Sequence, residues 1–139
     1  GKITQMLSED DVQSILQYRG ASIATDGLLG GTPHPRTYGT YPRVLGRYVR
    51  EKNLLRLEEA IQMMTALPAR AMGLDNKGLI RPGMDADLVV FDPAVVRSNA
   101  TFEQPKQFPD GICHVIVNGS FAVREGTPTD SLPGAVIRA

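Results

Sequence analysis

Asp26 stands at a boundary in the chain. Ser22-Ile23-Ala24-Thr25 before it is short and largely apolar, and Gly27-Leu-Leu-Gly-Gly-Thr-Pro-His-Pro-Arg36 after it is dense in glycine and proline. A carboxylate in such a place can take a proton from an attacking water and hand it to a leaving group, and a nearby cation would keep it ionised. It can equally turn the loop before Gly27 through local backbone bonds. Arg36 carries a guanidinium, which grips a carboxylate through two parallel N–H bonds; the alternative is a solvated loop side chain. His34, between two prolines, either lines a pocket or pins the loop, and no second histidine lies at metal-ligand spacing from it.

The remaining polar candidates read as structural. His114 alternates with apolar neighbours and reads as structural or exposed, and Cys113 sits among Ile112, Val115 and Ile116 as a buried strand residue would. Arg43, Arg47 and Arg50 read as a solvated helix face, and Met63 and Met64 as core filling. Tyr38 and Tyr41 read as loop packing rather than pocket wall.

The elements that must position Asp26 and Arg36 follow from local signals. Ser8-Glu-Asp-Asp11 has the form of a capping box, so a helix is expected to start there, with Val12, Ile15 and Leu16 on one face and Gly20 as its stop. Ala21 to Ala24 has the length and apolarity of a buried strand. Gly27 to Tyr41 holds four glycines and two prolines, which argues against regular structure through most of it. Pro42 suits a first helical position, opening a helix with Val44, Leu45 and Tyr48 as its stripe. Leu57, Ala60, Ile61 and Met64 mark another helix, and Pro68 opens a short turn that Gly73 closes.

The period changes after Asp75. Gly78 to Ile80 and Asp87 to Asp92 read as strands around a turn at Arg81-Pro-Gly83. Cys113 to Val117 and Ser120 to Arg124 flank Asn118-Gly119, the strongest short hairpin signal, because a type I′ turn needs positive φ at both central residues.

Composition narrows the class. The chain has 139 residues, 42% hydrophobic and 22% charged, which reads as globular and soluble. Fifteen basic and fifteen acidic residues cancel, which argues against nucleic acid held by bulk charge. No apolar run reaches a membrane span, and neither a signal pattern nor a cysteine pair appears, so a cytoplasmic setting without membrane or nucleic-acid partners is expected. One short strand cannot pair its own backbone groups. A strand, long loop and helix is the unit that an eight-fold barrel repeats over about 250 residues. The first half therefore reads as the tail of a larger barrel, against the alternative of a complete small α+β domain.

Two stretches carry a family resemblance. Gly78-Leu-Ile-Arg-Pro-Gly83-Met-Asp-Ala86-Asp87-Leu-Val-Val-Phe-Asp92 resembles the segment that follows the barrel in the amidohydrolase superfamily. Thr25-Asp26-Gly27 with His34-Pro-Arg36, then Gly39-Thr-Tyr-Pro-Arg-Val-Leu-Gly-Arg47, resembles the N-acyl-D-amino-acid deacylases, as does Leu57 to Arg70. Thr25 stands where serine is common and Ala135 where arginine is usual. The resemblance implies an α+β chain made of the C-terminal end of a metal-dependent TIM (β/α) barrel and part of a small β-sandwich domain. Residues 1–74 would supply the last barrel strand with its helices and active-site loop, and residues 75–139 the C-terminal strands of the β-domain.

It further implies a zinc-dependent hydrolase that splits N-acyl-D-amino acids. Asp26 would be the catalytic proton shuttle beside the metal, and a metal ligand itself. Arg36 would hold the substrate's α-carboxylate, with His34 in the substrate-binding loop. The other zinc ligands would come from the upstream part of the same polypeptide, so the 139 residues alone would be inactive. The rival readings are an amidohydrolase of cyclic amides and a non-catalytic β-rich binding module.

Overall fold

The computed structural model describes residues 7–137. Helices α1 (Glu9–Leu16), α2 (Arg36–Arg43), α3 (Leu57–Met64) and α4 (Ala66–Ala71) precede an antiparallel sheet of β1 (Leu88–Phe91), β2 (Ile112–Val117), β3 (Ser120–Arg124) and β4 (Thr127–Pro128), paired in chain order. The chain is thus α+β.

Local signals that need no distant partner behave as expected. The Asp11 N–H donates to Ser8 Oγ at 3.1 Å and the Ser8 N–H to the Asp11 carboxylate at 2.9 Å, closing the capping box. Asn118 and Gly119 take φ of 48° and 78°, and the hairpin β2–β3 turns on them. Val12 and Leu16 pack toward the core, while Ile15 is exposed.

Four expectations about the elements are corrected. Ala21 to Ala24 joins no ladder; the Ile23 N–H donates instead to the Met63 carbonyl at 2.9 Å, and only Ile23 is buried. The first helix stops at Leu16, well before Gly20, which lacks left-handed backbone. α2 starts inside the expected loop, and Pro42 lies within it rather than at its head. Proline brings no N–H, so the Tyr38 carbonyl loses its helical partner. The chain then continues as a π-helix, Val44–Glu51, and the Lys52 N–H that follows reaches back five residues to the Arg47 carbonyl at 2.9 Å. Residues 78–80 form no strand; the Asp85 N–H donates across that turn to the Asn76 carbonyl.

The core is one cluster: Ile23, Val44, Leu45, Tyr48, Leu55, Ala60, Met63 and Val96. Seven come from the helical part. Val96, from the segment after β1, is 1% exposed and sits among them. Arg50 fastens that segment, with Nη1 donating to the carbonyls of Val96 at 2.6 Å and Pro93 at 3.2 Å. Arg47 and Lys52 both reach Glu9, tying α1 to the π-helix. Arg47 and Arg50 are therefore staples, not a free solvated face.

A second clasp joins the approach to β1 with the hairpin turn. Lys77 bridges Asp85 at 2.8 Å and Asp87, and Asp87 accepts the Asn118 N–H at 2.8 Å. The bond from Lys77, then that from Asn118, holds the Asp87 carboxyl below the usual range.

Much apolar surface stays open. The chain exposes 10081 Å², against roughly 7,100 Å² for a free-standing folded protein of its mass. Val89 and Val90, neighbours on opposite faces of β1, are both exposed. No described helix is long and apolar enough to cross a membrane.

Two outcomes follow for the chain in solution. Val96→Ala loses about 2 kcal/mol of stability in urea titration, since a fully buried side chain leaves both transfer energy and a cavity; a loss within measurement error would place the core elsewhere. Asp87 has a depressed folded pKa, so its contribution is present above its unfolded value of about 3.9 and fades as pH falls through the folded one. Asp87→Asn is accordingly less stable than the parent chain at pH 6, and the gap closes below about pH 4. A gap constant between pH 6 and pH 3 would contradict the clasp.

Candidate active site

The loop between Thr25 and α2 is built by close backbone approach. Gly27 lies against the first turn of α2, where a Cβ would come within 2.9 Å of Thr37 Cα. Its N–H donates to Thr25 Oγ1 at 3.2 Å. Asp26, just before it, takes a left-handed φ of 45°, a conformation that aspartate tolerates better than most residues.

Arg36, the first residue of α2, reaches back to that position. Its Nη2 meets Asp26 Oδ2 at 2.7 Å, and its Nε donates to the Asp26 carbonyl at 3.1 Å. Arg36 is held in turn: its N–H donates to His34 Nδ1 at 3.1 Å, and its carbonyl accepts Thr40 Oγ1 at 2.7 Å. The His34 ring stands edge-on to Phe102, with centroids 5.1 Å apart. His34 thus pins the loop and caps α2 with one nitrogen.

The structure brings all three predicted site residues into one constellation. Asp26 is more open than Arg36, with 84% of its side chain exposed against 45%. Leu28 and Leu29 project beside it, also exposed. The arrangement offers a carboxylate free to accept a proton and a cation beside it able to orient an anion. Two hollows of about 560 and 540 Å³ lie elsewhere, the first along Leu16, Leu55 and Met63, the second between Lys77, Asn118 and Ala135.

Among the described residues no three His, Cys, Asp or Glu side chains converge. Asp26 could give one oxygen ligand, so these residues do not fit a zinc by themselves. Sequence reasoning missed three supports: the bond between Asp26 and Arg36, the Phe102 contact, and the Gly27–Thr37 contact. Thr37 Oγ1 is buried there without a hydrogen-bond partner. No local pattern announced them, because each depends on how separate segments pack together. His114 accepts the Glu125 N–H on its Nδ1 at 3.1 Å, a local bond across the β2–β3 hairpin.

The chain is similar to known proteins along most of its length. A family model described as "Amidohydrolase family" matches residues 20–123. The N-acyl-D-glutamate deacylase of Alcaligenes xylosoxydans xylosoxydans is 45% identical over 139 residues, covering 99% of this chain and 28% of that protein. The crystal structure of a D-aminoacylase superposes with a TM-score of 0.87 at 46% identity, over 91% of this chain and 27% of that one. The N-acyl-D-glutamate deacylase of Bordetella bronchiseptica, complexed with zinc and a phosphonate mimic of the tetrahedral intermediate, superposes at 0.81 with 44% identity, over 88% and 27%. This chain therefore spans about 28% of the length of the curated relative it matches.

Gly27→Ala in the 139-residue chain is expected to cost about 1–3 kcal/mol, because the new methyl meets backbone rather than a movable side chain. Gly134→Ala, with nothing within 4 Å, is the control and stays near the parent in thermal melting. Equal melting of the two variants would refute the close approach.

Proposed function

This chain belongs to the amidohydrolase family, and from that premise we propose that it is the C-terminal segment of a zinc-dependent deacylase of N-acyl-D-amino acids. Residues 1–74 would end the barrel and residues 75–139 would supply strands of the small β-domain. The observation that carries the reading is the constellation of Asp26, Arg36 and His34 in one loop, in a chain 44–46% identical to N-acyl-D-glutamate deacylases and a D-aminoacylase.

In this reading the reaction adds water across the amide. The C–N bond breaks, the acyl carbon keeps the water oxygen as a carboxylic acid, the amine leaves neutral with the returned proton, and the acid then gives up its own proton so that the products end as carboxylate and ammonium. Asp26 accepts the proton of the attacking water and returns it to the leaving nitrogen. Arg36 orients the substrate through its α-carboxylate, which fixes the face of the amide presented to Asp26. His34 holds the loop in which both stand. A zinc, when bound, supplies Lewis-acid polarisation and lowers the pKa of water to about 7. Asp26 is the one ligand these residues would offer it, and upstream residues of the same polypeptide would complete the set.

The test is made on the full-length parent with zinc, following release of free D-amino acids from N-acetyl-D-glutamate and its neutral analogues. Turnover is expected, and Asp26→Asn lowers kcat about 100-fold or more per bound zinc. A near-normal kcat in that variant would reject the proton shuttle. Hydrolysis of cyclic ureides with none of N-acyl-D-amino acids would move the parent to another branch of the family.

A further inference from the structure

Arg36 has more to do than the clamp role requires. Its guanidinium presents N–H groups along two usable edges: one formed by Nε and Nη2, the other by Nη1 and Nη2. The first edge is spent on residue 26, with both the carboxylate and the carbonyl accepting from it. Among the described residues Nη1 has no hydrogen-bond partner. We infer that Arg36 is a positioning residue for Asp26 as well as the substrate clamp, one edge holding the carboxylate base and its backbone while the other receives the incoming carboxylate. The inference rests on the functional reading above and deepens it.

Three observations make the hold on Asp26 more than an ordinary surface ion pair. A single exposed pair of this kind would fix little, because both side chains are free to wander. Here the second bond goes to the backbone of the same residue, which fixes the chain as well as the charge. That backbone is left-handed at φ 45°, a state that must be maintained by its surroundings. The arginine is itself seated at the first turn of α2 by His34 and Thr40, so its reach is set by a helix and not by a loop. The width of one planar group would then set the separation between the bound carboxylate and the base. A lysine could not reproduce this, since its ammonium is a point charge without a second edge.

The experiment uses the full-length parent, with zinc content measured for every variant. The probes are an N-acetyl-D-amino acid and its α-carboxamide, which lacks the charge that the clamp would bind. Crystal structures of Arg36→Ala and Arg36→Lys are expected to show Asp26 out of its left-handed backbone or its carboxylate turned away. In Arg36→Ala, kcat on the carboxamide falls about 100-fold, and added methylguanidinium restores part of it. On the free acid, kcat/KM falls further still, by the lost clamp.

Asp26 unmoved in both variants overturns the inference, whether or not the carboxamide is turned over. So does a displaced Asp26 with an undiminished kcat on the carboxamide. Equal losses on acid and amide would remove the clamp and leave the positioning role standing. A wild-type parent inactive on every N-acyl-D-amino acid would instead remove the functional reading beneath both.

Discussion

A planar cation held at two points is the constraint on which this site turns. Arg36 cannot reach both the carbonyl and the carboxylate of Asp26 unless α2 begins at residue 36 and the chain at Gly27 lies directly on that helix. Both conditions are backbone conditions. The first is met by the His34 ring nitrogen, which accepts the N–H that would otherwise be orphaned at the head of the helix. The second is met by the absence of a side chain at Gly27. The charges of the site thus sit on a geometry made by groups with no charge.

The same economy of long cationic side chains recurs away from the site. Arg50 binds two carbonyls of the segment that carries Val96 into the core, Arg47 and Lys52 converge on Glu9, and Lys77 joins two aspartates beside the hairpin. These contacts act less through pair energies, which are small where water has access, than by closing gaps between elements with few apolar contacts between them. Val96 is the exception. It is the point at which the segment after β1 enters the helical core, and residues on both sides of position 74 share that core.

What could be read from residues divides along the line between local and distant causes. The capping box at Ser8 and the turn at Asn118-Gly119 depend on atoms a few residues apart, and both were legible. The segment Ala21 to Ala24 was legible as apolar, but its reading as a strand failed, because a strand exists only where a neighbour supplies a ladder. α2 was hidden by composition: Gly39 argues against a helix and Pro42 against one that runs through it rather than starting there, and both are buried, so packing overrides propensity there. Asp26, Arg36 and His34 could be picked out as candidates by type and place. The bond that joins two of them could not, since it depends on the start of a helix that the sequence pattern argued against.

The open surface gives these details a direction. Side chains such as Leu28, Leu29, Ile80 and Leu132 lie exposed on a chain whose surface is about 3,000 Å² larger than its mass requires. Hydrophobic burial is the main favourable term in folding, so covering such faces would add stability that the described contacts leave unused. The exposed Leu28 and Leu29 follow Asp26 directly. A surface packed on them would also lower the dielectric around the carboxylate and the guanidinium, and in a drier site a paired charge acts more strongly on its partner. Completing the core and sharpening the electrostatics of the site would then be a single event, since both depend on the same uncovered ground beside Asp26.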